Sequence, residues 1–519
     1  MKTNIICLIN YQLIIMKKKQ KKFKHTGRHI ATYIILIIAI ISINTLIKPS
    51  IVVGQTPTLN AKEEVNHTCA SQIPSSIEKI INSPTFERMR WGILIKNLSS
   101  GQIIYSRDAQ KYFIPASTTK ILTTAAAWQK LGKDFRIHTS IYQGDEGNFY
   151  LVGRGDPSFN NVQLTALAQK LQQRGIRSIN KLIVDDSYFQ GEYIDSSWQW
   201  EDIQADYGAP VNSLMVNENT GILTLSPNKI GEKLNITWSN NIELYGGIEN
   251  NSITVAENEP RFVQVTRDLK GQILKIDGKL PINSPSQTIG LSVIDPIDNF
   301  LKNLRFTWAK VGITVKEIQP VFEYQHYKIA EQKPEIAVVE SLVLPDLVKE
   351  ANMNSNNLYA EALLRHLSNS EPTNKYETTV NQGLKILKTT LGEWGIEPNT
   401  YMIVDGSGLS RKNLISPEAL VETLQVMAKS PDGNLFRASL ATGGMTGTLK
   451  NRFLKTPAWG IVQGKTGSMT GVISLSGYIN VPDYDDLVFS MIVNQSQQPS
   501  AVRKAMDEII ILLAKLHKC

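Results

Sequence analysis

Ile114-Pro115-Ala116-Ser117-Thr118-Thr119-Lys120 is the stretch on which the reading of the whole chain turns. It has the look of a loop entering a helix. Pro115 lies just ahead of the turn, and the small residues that follow, Ala125-Ala126-Ala127 among them, favour helix and allow close packing. Ser117 falls at or next to the helix start, with Lys120 one turn on. Residues i and i+3 share a helix face, so the lysine amine reaches the serine hydroxyl. A serine beside a lysine base is a recognised way to activate a hydroxyl nucleophile. Alone the pair carries little weight, because a solvated helix also holds Ser-x-x-Lys by chance.

Outward from that stretch, residues 77–82 form a short amphipathic helix. Residues 90–96 and 102–106 read as two strands of a hairpin joined by the turn residues 97–101. The Ser117 helix ends near Leu131, with Gly132 in the C′ position. Between 136 and 340 short strand-like runs alternate with turns, and only residues 163–174 read as a helix. Gly153-Arg154-Gly155-Asp156-Pro157 opens no phosphate-binding helix and reads as a turn. Helices return at 344–351, Asn357–Leu367, 381–394 and Pro417–Lys429. Strands at 460–465, 472–480 and Leu487–Asn494 and a helix at 501–516 close the chain. The expected fold is α/β of the α+β type: an antiparallel sheet of about five strands, two N-terminal and three C-terminal, flanked by helices. Residues 73–135 and 341–519 form that discontinuous domain, and 136–340 a β-rich insert of two subdomains.

The chain has 519 residues, 42% hydrophobic and 20% charged, which is ordinary globular composition. Its net charge of +8 owes much to Lys17, Lys18, Lys19, Lys21, Lys22, Lys24 and Arg28. An apolar run from 30 to 47 follows them, the pattern of an export signal or an uncleaved membrane anchor. Residues 1–54 are therefore a leader and 55–72 a linker; Met16, directly before the lysines, is the expected translation start. The positive charge points to export to the cell envelope rather than to nucleic acid. Cys7 lies in the leader, and Cys69 and Cys519 mark the two ends of the exported part. An oxidising compartment would join them, or they stay as two free thiols. The seven histidines are scattered without metal-ligand spacing, so no metal or cofactor is expected.

Two further motifs give Ser117 partners. Ser355-Asn356-Asn357 stands at the mouth of a helix, where serine and asparagine are also ordinary caps. A Ser355 hydroxyl there relays a proton, and the Asn357 amide holds a substrate carbonyl or orients Lys120. Lys465-Thr466-Gly467-Ser468 ends an apolar strand; Gly467 lets a substrate backbone approach, and the flanking groups bind a carboxylate. Ser-x-x-Lys, Ser-x-Asn and Lys-Thr-Gly in this order form the set of the penicilloyl-serine transferases. The chain resembles their class C low-molecular-mass penicillin-binding proteins, the D-alanyl-D-alanine carboxypeptidase/endopeptidases, over about residues 75–518 (an extent read from its motifs). Tyr207-Gly208-Ala209, Asp405-Gly406-Ser407-Gly408-Leu409-Ser410-Arg411 and Thr446-Gly447-Thr448-Leu449 extend the likeness. Asn356 stands where the family often has aspartate, and Ser468 where it has threonine.

The resemblance implies a serine hydrolase of peptidoglycan stem peptides and cross-links that β-lactams acylate. Ser117, Lys120, Ser355, Asn357 and Lys465 are its catalytic set; Thr466, Gly467 and Ser468 bind the leaving residue, with Lys465 joining Thr466 and Ser468 on its carboxylate. It also implies that Asp202, beside Trp198 or Trp200, pairs with the side-chain amine of a diaminopimelyl peptide while Met469 and Leu409 line that pocket. Two other readings compete: a β-lactamase-like hydrolase, disfavoured by the long insert, and a non-catalytic penicillin-binding wall protein, disfavoured by the intact motifs.

Overall fold

The computed structural model describes residues 68–239, 246–268, 272–368 and 377–519. Residues 1–54, expected as a leader, and most of the expected linker 55–72 lie outside them. Among the described residues no helix is long and apolar enough to cross a membrane.

The layer on which the three motifs meet is one antiparallel sheet. Its strands are β1 (Arg90–Asn97), β2 (Ile103–Arg107), β3 (Ala441–Thr442), β4 (Val462–Met469), β5 (Val472–Ile479) and β6 (Leu487–Asn494), in the spatial order β3-β4-β5-β6-β1-β2. Five match the expected strands; β3 is the sixth, too short to show a pattern. β5 and β6 are buried along their whole length. Both faces of the sheet are covered, so even Ser474, Ser476 and Ser490 of these strands are buried.

One face packs against α1 (Ile73–Ile81) and α4 (Pro499–Leu513), around Ile77, Trp91, Phe489 and Ile509. The other packs against α2 (Lys120–Leu131), α3 (Asn357–Leu367) and the helices Leu344–Met353, Thr379–Glu393 and Pro417–Lys429. The small residues Ala125, Ala126 and Ala127 are fully buried in α2, as that close packing requires. Gly132 ends α2 at φ +79°.

Residues 138–340 build two further layers. A mixed sheet has the order Thr314–Val321, Ser178–Asp185, Asn148–Val152, His138–Gln143, Glu335–Glu340 and packs on the helices Asn161–Gln173 and Pro296–Val311. The second helix was not expected. Its start and stop are marked all the same: Asp295 caps it by accepting from the N–H of Ile297 and Asp298, Pro296 occupies its first turn, and Gly312 ends it in the left-handed region. A three-stranded and a four-stranded sheet then enclose a small core of Leu223, Leu225, Leu274 and Ile276.

The two ends of the described chain meet. Thr68 and Cys69 pair in parallel with Leu516 and His517, and Cys69 is disulfide-bonded to Cys519 across 450 residues. Of the two alternatives for these cysteines, the joined one holds. A crosslink between remote positions restricts the unfolded chain, so Cys69→Ser/Cys519→Ser is expected to lose about 2–4 kcal/mol of stability. Thermal unfolding with and without reductant checks this: reductant should destabilise the parent and leave the variant unmoved.

Candidate active site

Ser117 lies in a 3-10 turn, Ala116–Thr119, which passes directly into α2 at Lys120. Neighbouring hydroxyls add side-chain hydrogen bonds to the carbonyls at the start of this turn. Thr118 Oγ1 and Ser474 Oγ donate to the Pro115 carbonyl at 2.8 and 2.7 Å, and Thr119 Oγ1 donates to Ala116 O at 2.9 Å. At the end of β6, Asn494 accepts from the Ile114 N–H at 2.9 Å and donates to its carbonyl at 3.0 Å. Ala116 is held at φ +52°, a costly conformation for a residue with a Cβ, and these bonds keep it there. The turn that carries Ser117 is thus fixed from the sheet side.

Lys120 is fully buried, with Nζ 3.0 Å from Ser117 Oγ, 2.6 Å from Asn357 Oδ1 and 2.7 Å from Ser407 O. A neutral amine has two N–H donors. The Asn357 and Ser407 oxygens take both, which turns the lone pair toward the Ser117 hydroxyl. Burial pulls the Lys120 pKa down to about 7, against the opposing pull of Asp405 and Glu361. The amine is therefore substantially unprotonated near neutral pH, as a general base must be.

Those two acids hold the lysine's surroundings in shape. Glu361, buried in α3, accepts from the N–H groups of Gly406 and Ser407 at 2.8 Å each, with Arg365 3.1 Å from its other oxygen. Asp405 accepts from the N–H of Gly408 and Ser410, from Asn413 Nδ2 and from Trp198 Nε1. Together they aim the Ser407 carbonyl at Lys120. Asp405 stands in a stretch quoted from the sequence and Glu361 in an expected helix, yet no role was read for either. Trp198 belongs to this buried support, not to the cleft; Trp200 is exposed.

Ser355 and Asn357 flank the cap of α3. Asn356 takes the capping role, accepting from Tyr359 N at 3.3 Å, which frees its two neighbours for the cleft. Asn357 donates to Tyr207 O at 2.8 Å while its oxygen meets Lys120. Ser355, at φ +62°, accepts from Lys465 Nζ at 2.8 Å. Lys465 is also fully buried and donates to Thr466 O at 2.8 Å. Burial, then the nearby Lys120, holds its pKa well below the usual lysine range. Its amine is thus committed to Ser355 and does not reach into the cleft for a carboxylate.

β3 pairs with β4 only at Gln463 and Gly464, so among the described residues the edge of β4 from 465 to 469 is unpaired on the side away from β5. Such an edge can take an extended peptide as an added strand. Gly467 also meets a neighbour within the protein. A Cβ there would lie 2.2 Å from Ser474 Oγ, 2.7 Å from Pro115 O and 3.1 Å from Ser117 N. The missing side chain admits the nucleophile turn itself. Gly467→Ala is expected to displace that turn and cut kcat/KM about 100-fold; acylation rates of the folded variant check this.

Ser117, Asp202, Tyr207, Ser355, Asn357, Leu409, Arg411, Ser468 and Met469 line one cleft of about 360 Å³. Asp202 accepts from the Tyr207 hydroxyl at 3.2 Å, and partial burial raises its pKa. Arg411 donates to Thr470 O at 2.8 Å at the same rim. Thr466 lies outside the cleft lining and donates to Thr448 Oγ1 at 2.8 Å. The arrangement brings a poised serine, a buried amine base, a second hydroxyl backed by an amine and an open strand edge to one place. That is equipment for acyl transfer from an extended peptide.

Residues 73–515 match the model of the D-Ala-D-Ala carboxypeptidase 3 (S13) family. A D-alanyl-D-alanine carboxypeptidase of Actinomadura sp. (strain R39) is 28% identical, over 90% of this chain and 88% of its own. The penicillin-sensitive carboxypeptidase A of Dictyostelium discoideum is 30% identical, over 82% and 87%. Among solved structures, penicillin binding protein 4 (dacB) of Haemophilus influenzae has the same fold, with a TM-score of 0.73 at 23% identity, covering 85% of this chain and 98% of that one.

Proposed function

The chain belongs to the D-Ala-D-Ala carboxypeptidase 3 (S13) family, and on that footing we propose that Ser117 is the nucleophile of a serine-type D-Ala-D-Ala carboxypeptidase that also opens wall cross-links as a DD-endopeptidase. The observation that carries this reading is the Lys120 amine, stripped of solvent and aimed at Ser117 by two oxygen acceptors.

Lys120 takes the Ser117 proton as Oγ attacks the carbonyl of the penultimate D-alanine. The N–H groups of Ser117 and Ser468 face the developing oxyanion. As the C–N bond breaks, the proton taken by Lys120 is relayed through Ser355, backed by Lys465, to the departing amine. Asn357 holds the substrate amide. The acyl-serine ester is then hydrolysed by water, which returns Ser117 and a shortened peptide. A β-lactam acylates the same serine and leaves slowly. The substrate lies in the cell wall, and the Cys69–Cys519 disulfide suits an oxidising compartment there. Export by the N-terminal leader fits both.

Digestion of purified muropeptides tests the reading. Pentapeptide monomers should lose D-alanine, and dimers should fall to monomers. Intact monomers and dimers after prolonged incubation would sink it. Asp202, with Leu409 and Met469 at the same wall of the cleft, is assigned to the amine of a diaminopimelyl side chain. Asp202→Ala should therefore lower the preference for diaminopimelyl over plain peptides about tenfold, the scale of one charge-assisted hydrogen bond. An unchanged ratio would return Asp202 to the solvated surface.

A further inference from the structure

One cation beside the cleft has no part in the chemistry above. A substrate's terminal carboxylate at Thr466 and Ser468 brings a full negative charge, and two hydroxyls alone answer it weakly. Lys465 cannot help, because it is buried beneath Ser355 with its bonds spent on Ser355 Oγ and Thr466 O. Side chains alternate along a strand, so Lys465 and Gly467 face the nucleophile turn while Thr466 and Ser468 face the other way. On that other side Arg503 of α4 donates from Nη2 to Ser468 Oγ at 2.9 Å. Among the described residues no carboxylate pairs with its guanidinium.

Arg503 also borders a second cleft, of about 810 Å³, which shares Ser468, Met469 and Thr470 with the first. Ser496 lines this second cleft, and its hydroxyl is buried without a hydrogen-bond partner. A buried polar atom left unpaired is costly unless something arrives to pair it.

We propose that Arg503 recognises the free carboxylate of the departing residue, together with the Thr466 and Ser468 hydroxyls, and that the second cleft receives whatever that residue carries beyond a methyl group. The guanidinium is only half-buried and spends one N–H on Ser468. Its remaining donors keep the planar fork that matches a carboxylate. A D-alanine leaves the second cleft empty, whereas the departing strand of a cross-link enters it. One device would then serve trimming and cross-link cleavage alike. This rests on the carboxypeptidase reading above.

The test uses the full chain as wild type, Arg503→Ala and Arg503→Lys. Its substrates are an acylated D-Ala-D-Ala peptide as the free acid and as the C-terminal amide. A parallel arm measures acylation of Ser117 by benzylpenicillin and by its methyl ester, followed by intact-protein mass. Arg503→Ala should lower kcat/KM on the acid about 10- to 100-fold, mostly through KM, and change the amide by less than about twofold. The acid-over-amide and acid-over-ester preferences should both collapse, and lysine should restore part of each. Acid and amide falling together, or an unchanged preference in a folded variant, would overturn the assignment. If wild type is acylated by penicillin but releases neither D-alanine from the acid nor D-alaninamide from the amide, the carboxypeptidase reading fails, and the acid-over-ester ratio still decides for or against Arg503.

Discussion

Ser117→Ala is expected to lose covalent labelling by fluorescent penicillin altogether and to lower D-alanine release by a factor on the order of 10⁴ or more. The size follows from what remains: a cleft that still binds and polarises the carbonyl but has no oxygen to attack it. Folding should be spared. The turn that carries Ser117 is held by Thr118, Thr119, Ser474 and Asn494, none of which bonds to the serine hydroxyl. An unchanged melting temperature beside a vanished label separates the loss of the nucleophile from the loss of the fold. Equal labelling of the folded variant would overturn the assignment.

Lys120→Met should be nearly as severe, with acylation about 10³-fold slower or worse, the usual scale for a lost general base plus the serine activation it provides. The informative readout is pH. With a Lys120 pKa of about 7, the amine is protonated and idle below neutrality and free to accept a proton above it. Acylation of the wild type should therefore climb through pH 7 and level off, while the residual rate of Lys120→Met should be flat there. Stability follows the same group with a definite sign. The folded pKa lies below the unfolded value near 10.5, so between these two pH values the unfolded chain binds more protons than the native one. Wild-type stability should rise with pH across that window. The variant should lose part of the slope and keep the share due to Lys465, whose shift has the same direction.

Much of the catalytic layer was legible because its signals are local. The helices Asn357–Leu367 and Pro417–Lys429 and the strand Leu487–Asn494 fall where apolar patterning and caps put them. The helix Pro296–Val311 was missed even though Asp295, Pro296 and Gly312 mark its ends, because the strand-like runs around it set the reading. The Ala441–Thr442 strand has no pattern to read; it exists only through its pairing with Gln463 and Gly464. In the cleft the Ser, Lys and Asn residues were visible as motifs, but their supports were not. Asp405 is recognisable as a scaffold only once Trp198, Asn413 and the 408–410 backbone converge on it. Arg503 belongs to a helix that looks from its sequence like simple sheet cover, and nothing local ties it to Ser468. Gly467 was noticed for its missing side chain, but its closeness to Pro115 and Ser117 shows only in the fold.

The clamp of Asn494 on Ile114 joins positions 380 residues apart, and it sets a schedule for synthesis. The serine emerges early, but the strand that fixes its turn emerges almost last. At translation rates of about 5–20 residues per second, that interval is roughly 20–75 s. During it the nascent chain carries a nucleophile with no oriented base, no strand edge and no sheet behind its turn. A product truncated before β6 would be unarmed in the same way. Assembly of the cleft therefore waits on the last strand of this sheet.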